Sequence, residues 1–176
     1  MSKSKKRTEV MSLGAASASA AHDFSGNLVL DEGSGGLGKT ICLTAVAKAI
    51  KDQNPDCKIM VKTTYPDVWK GLPFIDSFLD SNLFRPYLRK EIADHEYIRA
   101  EPYLDLTWRR GNEHLIDTWC RLFGVQPPKE KRGIINLTRQ EREDVQKMLA
   151  RVASVPLVAF QWTGGVPGRE PGKACE

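Results

Sequence analysis

Between residues 26 and 125 the apolar positions alternate between short unbroken runs and longer segments at helical spacing, the mark of strands and helices taken in turn. Leu28-Val29-Leu30 is the first run and predicts a strand. Residues 40–53 carry Ile41, Leu43, Ala45, Val46, Ala47, Ala49 and Ile50 on nearly every side, as a helix packed into a sheet requires. Asn54-Pro55 stops that helix. Residues 58–64 (K-I-M-V-K-T-T) read as a second strand, which completes a β-α-β unit and predicts a parallel sheet. Tyr65-Pro66-Asp67 turns the chain into a short helix at residues 68–71, and residues 74–80 read as a third, short strand.

The pattern then weakens. Within residues 81–108, Leu83, Phe84, Tyr87 and Leu88 share a helical face and residues 96–98 read as a brief strand. Residues 112–123 are a clear helix: Asn112 is placed to cap it, Leu115, Ile116, Trp119, Leu122 and Phe123 share one side, and Gly124 ends it. Gln126-Pro127-Pro128 and the charged run 129–132 read as a solvated connector. A further helix opens at Thr138, where Thr138 and Glu141 make a capping box, with Val145, Met148, Leu149 and Val152 as its buried stripe. Residues 156–162 (P-L-V-A-F-Q-W) read as a strand leading into a second glycine loop at residues 163–168. Residues 169–176 are too few to complete another sheet. The organisation expected is thus a disordered tail over 1–25, rich in Ser, Ala and Lys, a Rossmann-like domain over 26–128, and a linker helix with the truncated start of a second domain over 129–176.

Composition adds mainly exclusions. The net charge of +4 is mild, and Lys3, Lys5, Lys6 and Arg7 place part of it in the tail, so nucleic acid is not the expected partner. No apolar run approaches the ~18 residues of a membrane span. No apolar h-region follows the basic start, which argues against a secretory signal. Cys42, Cys57, Cys120 and Cys175 form no C-x-x-C pair, and His22, His95 and His114 are scattered, so separate reduced thiols of a cytosolic protein are expected and no metal site.

The chemistry concentrates in Gly33-Ser34-Gly35-Gly36-Leu37-Gly38-Lys39-Thr40, between the first strand and the first helix. Glycines there let backbone amides approach a ligand, and a helix start favours an anion. The segment satisfies the phosphate-loop pattern G-x-x-x-x-G-K-[ST]. In that reading the amides cradle ATP or GTP, Lys39 neutralises the terminal phosphates and Thr40 holds Mg²⁺. A magnesium partner would then be Asp80 or Asp105, although neither ends a long apolar run.

The chain as a whole also resembles a known family. Gly35-Gly36-Leu37-Gly38, the helix ending Lys51-Asp52-Gln53-Asn54-Pro55-Asp56, and Lys58-Ile59-Met60-Val61 resemble the opening of the heptosyltransferase-like glycosyltransferases, family 9. Residues 72–79 are similar to its N-P-[YF]-[VI]-D-x-[VIL]-[IL], and residues 114–125 to its H-x-[IV]-D … L-G-V helix. Leu137-Thr138 with the Glu-rich helix, and then residues 156–161, look like the passage into its second domain.

The resemblance implies the GT-B arrangement, two Rossmann-like three-layer domains with parallel sheets facing across a cleft. It also implies transfer of a heptose-like sugar from a nucleotide-sugar donor to a lipopolysaccharide or other glycan acceptor. No cofactor is implied beyond that co-substrate; Mg²⁺ belongs only to the ATP/GTP alternative. The location implied is cytoplasmic, peripheral at the inner membrane surface. The acceptor side would be lined by Gly35, Gly36, Gly38, Lys39, Thr40, Thr64 and Tyr65, and Arg169 would meet the donor phosphates. Lys39 stands where the family carries an Asp base; a charged Lys cannot take that proton, so the catalytic base is unassigned and Lys39 is read as a phosphate ligand. The donor site needs more than this chain provides, so a separate chain supplying the rest of that domain is an expected partner. A third reading is a non-catalytic chain that binds only glycan or a partner.

Overall fold

Short apolar runs that can be covered on both faces assemble here into a parallel sheet. The computed structural model describes residues 11–12, 24, 26–33, 36–80 and 94–150. In chain order the elements are β1 (Met11–Ser12), β2 (Asn27–Asp31), α1 (Leu37–Gln53), β3 (Lys58–Thr63), α2 (Pro66–Trp69), β4 (Ser77–Asp80), β5 (Glu96–Arg99), a 3-10 turn (Pro102–Leu104), α3 (Leu106–Arg109), α4 (Leu115–Leu122) and α5 (Arg139–Ala150). The sheet runs β1-β5-β2-β3-β4 and every pairing is parallel. The protein is therefore α/β, with four strands and a two-residue edge strand flanked by helices.

β2 is the middle strand, and Leu28, Val29, Leu30 and Asp31 are all buried. Register puts Leu28 beside Ile59, Leu30 beside Val61 and Leu30 beside Ile98, so these side chains share one face. They join Leu43, Val46, Ala47 and Ile50 of α1 in the core. Asn54 ends α1 by bonding the Ile50 carbonyl through its own N–H at 2.9 Å and its side-chain amide at 3.0 Å. Its side-chain oxygen also accepts from the Phe24 N–H at 3.1 Å, which holds that ring in the core. Two pieces of the segment read as a tail thus belong to the folded domain: Phe24 is buried and Met11–Ser12 pairs with β5.

Helix α4 starts later than the spacing suggests. His114, not Asn112, is its cap, with Nδ1 accepting from the Ile116 N–H at 3.1 Å, and Gly124 at φ 68° closes it. Trp119 and Ile116 of α4 are fully buried, and α4 packs against α1. Trp69 is also core, its indole N–H donating to Thr63 Oγ1 at 3.2 Å.

The expected connector after residue 128 is not free. Ile134 N–H donates to Thr44 Oγ1 at 2.7 Å, Lys131 pairs with Asp117 at 2.5 Å, and the Asn136 amide donates to the Gly71 carbonyl at 3.1 Å. The first compact unit accordingly runs to Asn136 and the second begins at Leu137, eight residues beyond the boundary read from composition. In that second unit the capping box forms as the spacing predicts, Thr138 N–H to Glu141 at 2.7 Å and Glu141 N–H to Thr138 Oγ1 at 3.2 Å. The buried stripe does not: Val145, Met148 and Leu149 are 42%, 62% and 42% exposed. Helical spacing shows which residues share a face, but not that anything covers it. The expected helix at Leu83–Leu88, the strand and glycine loop at 156–168, Trp162, Arg169 and Cys175 lie outside the described residues.

Gly133 is where the 129–136 segment comes closest to α1: a Cβ there would stand 2.3 Å from Ile41 Cγ2 and 2.5 Å from the Ile41 carbonyl oxygen. Backbone cannot yield cheaply, so Gly133→Ala is expected to destabilise the protein by about 1–3 kcal/mol, read as a lowered urea midpoint at unchanged slope.

Candidate functional site

The chain leaves β2 toward β3 and β4, then returns to the other side of β2 as β5. The crevice outside the carboxyl ends of β2 and β5, where the connections diverge, is where parallel sheets bind ligands. Asp31, Glu32 and Gly33 leave β2 there, and Arg99, Ala100 and Glu101 leave β5. Gly33 turns the chain at φ 71°, a conformation that favours glycine, and its N–H donates to Asp31 Oδ1 at 2.8 Å. A Cβ on Gly33 would lie 3.3 Å from Arg99 Nε and 3.6 Å from Glu101 Oε2, so Gly33 sits directly over the end of β5.

Two buried carboxylates and one buried ammonium organise this crevice. Glu32 accepts the Thr40 hydroxyl at 3.0 Å, the Thr63 hydroxyl at 2.8 Å, the Thr64 hydroxyl at 2.8 Å and the Thr64 N–H. It ties the start of α1 to the end of β3. Asp31 accepts from Lys62 Nζ at 3.0 Å and from the Tyr97 hydroxyl, besides Gly33. Burial pushes the Asp31 carboxyl up, but the hydrogen bonds from Tyr97, the Gly33 amide and Lys62 outweigh it and hold the carboxyl below its usual value. Burial and the Asp31 charge push the Tyr97 phenol up, so it stays protonated as the donor.

Lys39 is the ammonium. Its side chain is only 2% exposed, and Nζ lies 2.6 Å from Glu101 Oε2. The same Nζ sits 5.3 Å from the Tyr103 ring centroid and 5.8 Å from that of Trp119, within cation–π range of both. Glu101 Oε1 is buried without a hydrogen-bond partner among the described residues. Tyr103 is 40% exposed and meets Trp108 edge-on, centroids 4.7 Å apart and planes at 60°.

No family model, curated protein or solved structure matches this chain.

Of the residues the sequence singled out, the fold gathers Gly36, Gly38, Lys39, Thr40 and Thr64 around the strand ends. Gly36 and Gly38 are exposed at the start of α1, and a Cβ on either would meet nothing within 4 Å, so the space before them is open. Gly35 lies outside the described residues. Thr64 is engaged by Glu32, and Tyr65 is half-buried and packed against the core. Thr40 is 2% exposed with its hydroxyl donated to Glu32, and the Lys39 ammonium pairs with Glu101 at 2.6 Å. Asp105 caps α3 through the Thr107 and Trp108 amides and pairs with Arg121 at 2.8 Å, and Asp80 closes β4. Arg109 and Arg110 are exposed. Among the described residues no His, Cys, Asp or Glu group is arranged to hold a metal ion, and no helix is long and apolar enough to cross a membrane. Cys42, Cys57 and Cys120 are free thiols; burial pushes Cys57 up to about 11 and Cys120 up to about 12, which keeps both unreactive.

Glu32, Glu101 and Tyr103 carry the site and were not singled out from sequence. Glu32 had a local signal, directly preceding the glycine loop. Glu101 and Tyr103 had none, because their place depends on β5 lying next to β2.

Glu101→Gln takes the carboxylate away from the buried Lys39 ammonium and is expected to cost about 3 kcal/mol, whereas Lys39→Met with Glu101→Gln removes both charges and restores most of it, a coupling read from a double-mutant cycle in guanidinium. Asp31 makes a second test. Its folded pKa lies below the unfolded one, so its stabilisation is fully present above the unfolded value of about 4 and is lost as pH falls through the folded value. Asp31→Asn should lower stability at pH 7, and should flatten the acid limb of the stability curve below about pH 4.

Proposed function

We propose that this chain is the acceptor-side, Rossmann-like half of a GT-B glycosyltransferase resembling family 9. In this reading it receives a glycan such as a lipopolysaccharide core for transfer of a heptose-like sugar from a nucleotide-sugar donor. The order β4-β3-β2-β5 corresponds to the 3-2-1-4 order of doubly wound nucleotide-binding sheets, which supports the Rossmann-like assignment. The glycine loop then faces the cleft from the switch point, and the donor belongs to a second lobe that residues after 136 begin to build. An acceptor of that kind accords with a peripheral position at the cytoplasmic face of the inner membrane.

The single observation that carries this reading is the Lys39–Glu101 pair. A phosphate loop works by presenting its lysine to the terminal phosphates. Here that charge is paired at 2.6 Å with a carboxylate inside the protein, turned away from the open glycines Gly36 and Gly38. A loop whose lysine is held inside suits a hydroxyl-rich acceptor better than a triphosphate, which needs that lysine at its terminal phosphates.

The test uses the whole chain. ATP or GTP with Mg²⁺ should give neither hydrolysis nor a thermal shift that depends on Lys39. A lipopolysaccharide core oligosaccharide should raise the melting midpoint in wild type. Nucleoside-triphosphate hydrolysis abolished by Lys39→Ala would reverse the assignment in favour of the phosphate-loop alternative.

A further inference from the structure

We infer that the turn Pro102–Leu104 and helix α3 form a docking face for an anionic lipid bilayer; this rests on the proposed peripheral position and gives that position a surface. Leu104 is 73% exposed and Leu106 is 60% exposed, two residues apart. Side chains so far out of the surface project from it rather than line a hollow, which suits insertion into a soft apolar layer. Leu106 and Arg110 stand one helical turn apart, the Arg110 N–H donating to the Leu106 carbonyl at 3.1 Å, so a leucine and an arginine share one side. Thr107, Arg109 and Arg110 are exposed as well.

The charge of this segment is one-sided. Between residues 101 and 113 each carboxylate has a cation: Glu101 pairs with Lys39 at 2.6 Å, and Asp105 and Glu113 pair with Arg121 at 2.8 Å and 2.7 Å. Arg109 and Arg110 form no ion pair among the described residues. Exposed leucines beside unpaired arginines have the composition of an interfacial anchor. The leucines enter the acyl boundary, and the guanidinium groups meet lipid phosphates, which they bind through paired N–H donors. The face is also braced. Pro102 is buried, and Asp105 accepts from the Thr107 and Trp108 amides at 2.8 Å and 3.1 Å while Arg121 of α4 holds its carboxylate. A preordered face loses little conformational freedom on docking. β5 ends at Arg99 next to Asp31, so the segment leaves the sheet at the same end as Gly33. A bilayer held here is brought to the end of the sheet where the crevice opens, and an acceptor carried on a lipid arrives from that side.

The probe is a vesicle of phosphatidylethanolamine and phosphatidylglycerol, with phosphatidylcholine vesicles as the uncharged counterpart, and the full chain is followed by co-sedimentation. Wild type should bind the anionic vesicles, the uncharged ones about tenfold more weakly, and both less as salt is raised. Leu104→Ser with Leu106→Ser should weaken binding to anionic vesicles about tenfold, and Arg109→Gln with Arg110→Gln by a similar factor. All four positions are exposed, so circular dichroism melting should stay near wild type and separate a lost contact from a lost fold. Binding that survives both pairs but falls with Lys3→Gln, Lys5→Gln, Lys6→Gln and Arg7→Gln would put the contact at the basic start of the chain and overturn this face, leaving the peripheral position intact. A dimer in light scattering that the leucine pair abolishes would give the face to a second copy of the chain and overturn the bilayer. No binding to either vesicle, with the core oligosaccharide still stabilising the protein, would overturn the docking face alone. Failure of vesicles and oligosaccharide together with Lys39-dependent ATP hydrolysis would overturn both the face and the sugar-transfer reading.

Discussion

An ammonium taken out of water at the carboxyl ends of a parallel sheet is tolerable only beside a carboxylate with good geometry. In this protein the Lys39–Glu101 pair meets that demand, and much of the crevice is arranged around it. The pair links the first turn of α1 to the segment leaving β5, elements 62 residues apart in the chain. It draws Tyr103 and Trp119 around the charge. Glu32 performs a similar role with neutral donors, gathering Thr40, Thr63 and Thr64 so that α1 and β3 are clamped to the end of β2. Asp31 completes the set by holding the Gly33 turn from below.

That arrangement changes what a glycine loop can do. Amides at a helix start attract anions, and a free lysine nearby would strengthen the attraction. Here the lysine faces inward, with open space at Gly36 and Gly38 and an exposed aromatic ring close to the buried pair. The same eight-residue pattern that marks a phosphate loop is thus carried here with its lysine paired inside the protein.

Several features were legible because they depend on nearby residues alone. The β2–α1–β3 unit follows from apolar runs separated by a glycine loop and an Asn-Pro stop, and the Thr138–Glu141 box follows from a spacing of three. Gly124 ends α4 as its position suggests. The misreadings also have local causes. Asn112 and His114 are both able to cap a helix, and only the path of the backbone decides between them. Apolar spacing in α5 is a property of the helix, while burial of Val145, Met148 and Leu149 would need a partner surface. Phe24 stands alone in a polar stretch, and its place in the core depends on Asn54, thirty residues later.

The sequence by itself therefore determined the class of fold, the central β-α-β unit and the location of the loop where chemistry gathers, since strand and helix periods and turn residues act over a few positions. Only the tertiary structure decided which way Lys39 points, that Glu32 is satisfied by three threonines, and that Glu101 and Tyr103 stand at the loop at all. Those facts rest on which strand lies beside β2, and neighbours across a parallel sheet are set by long-range register and burial, which no short window of residues contains.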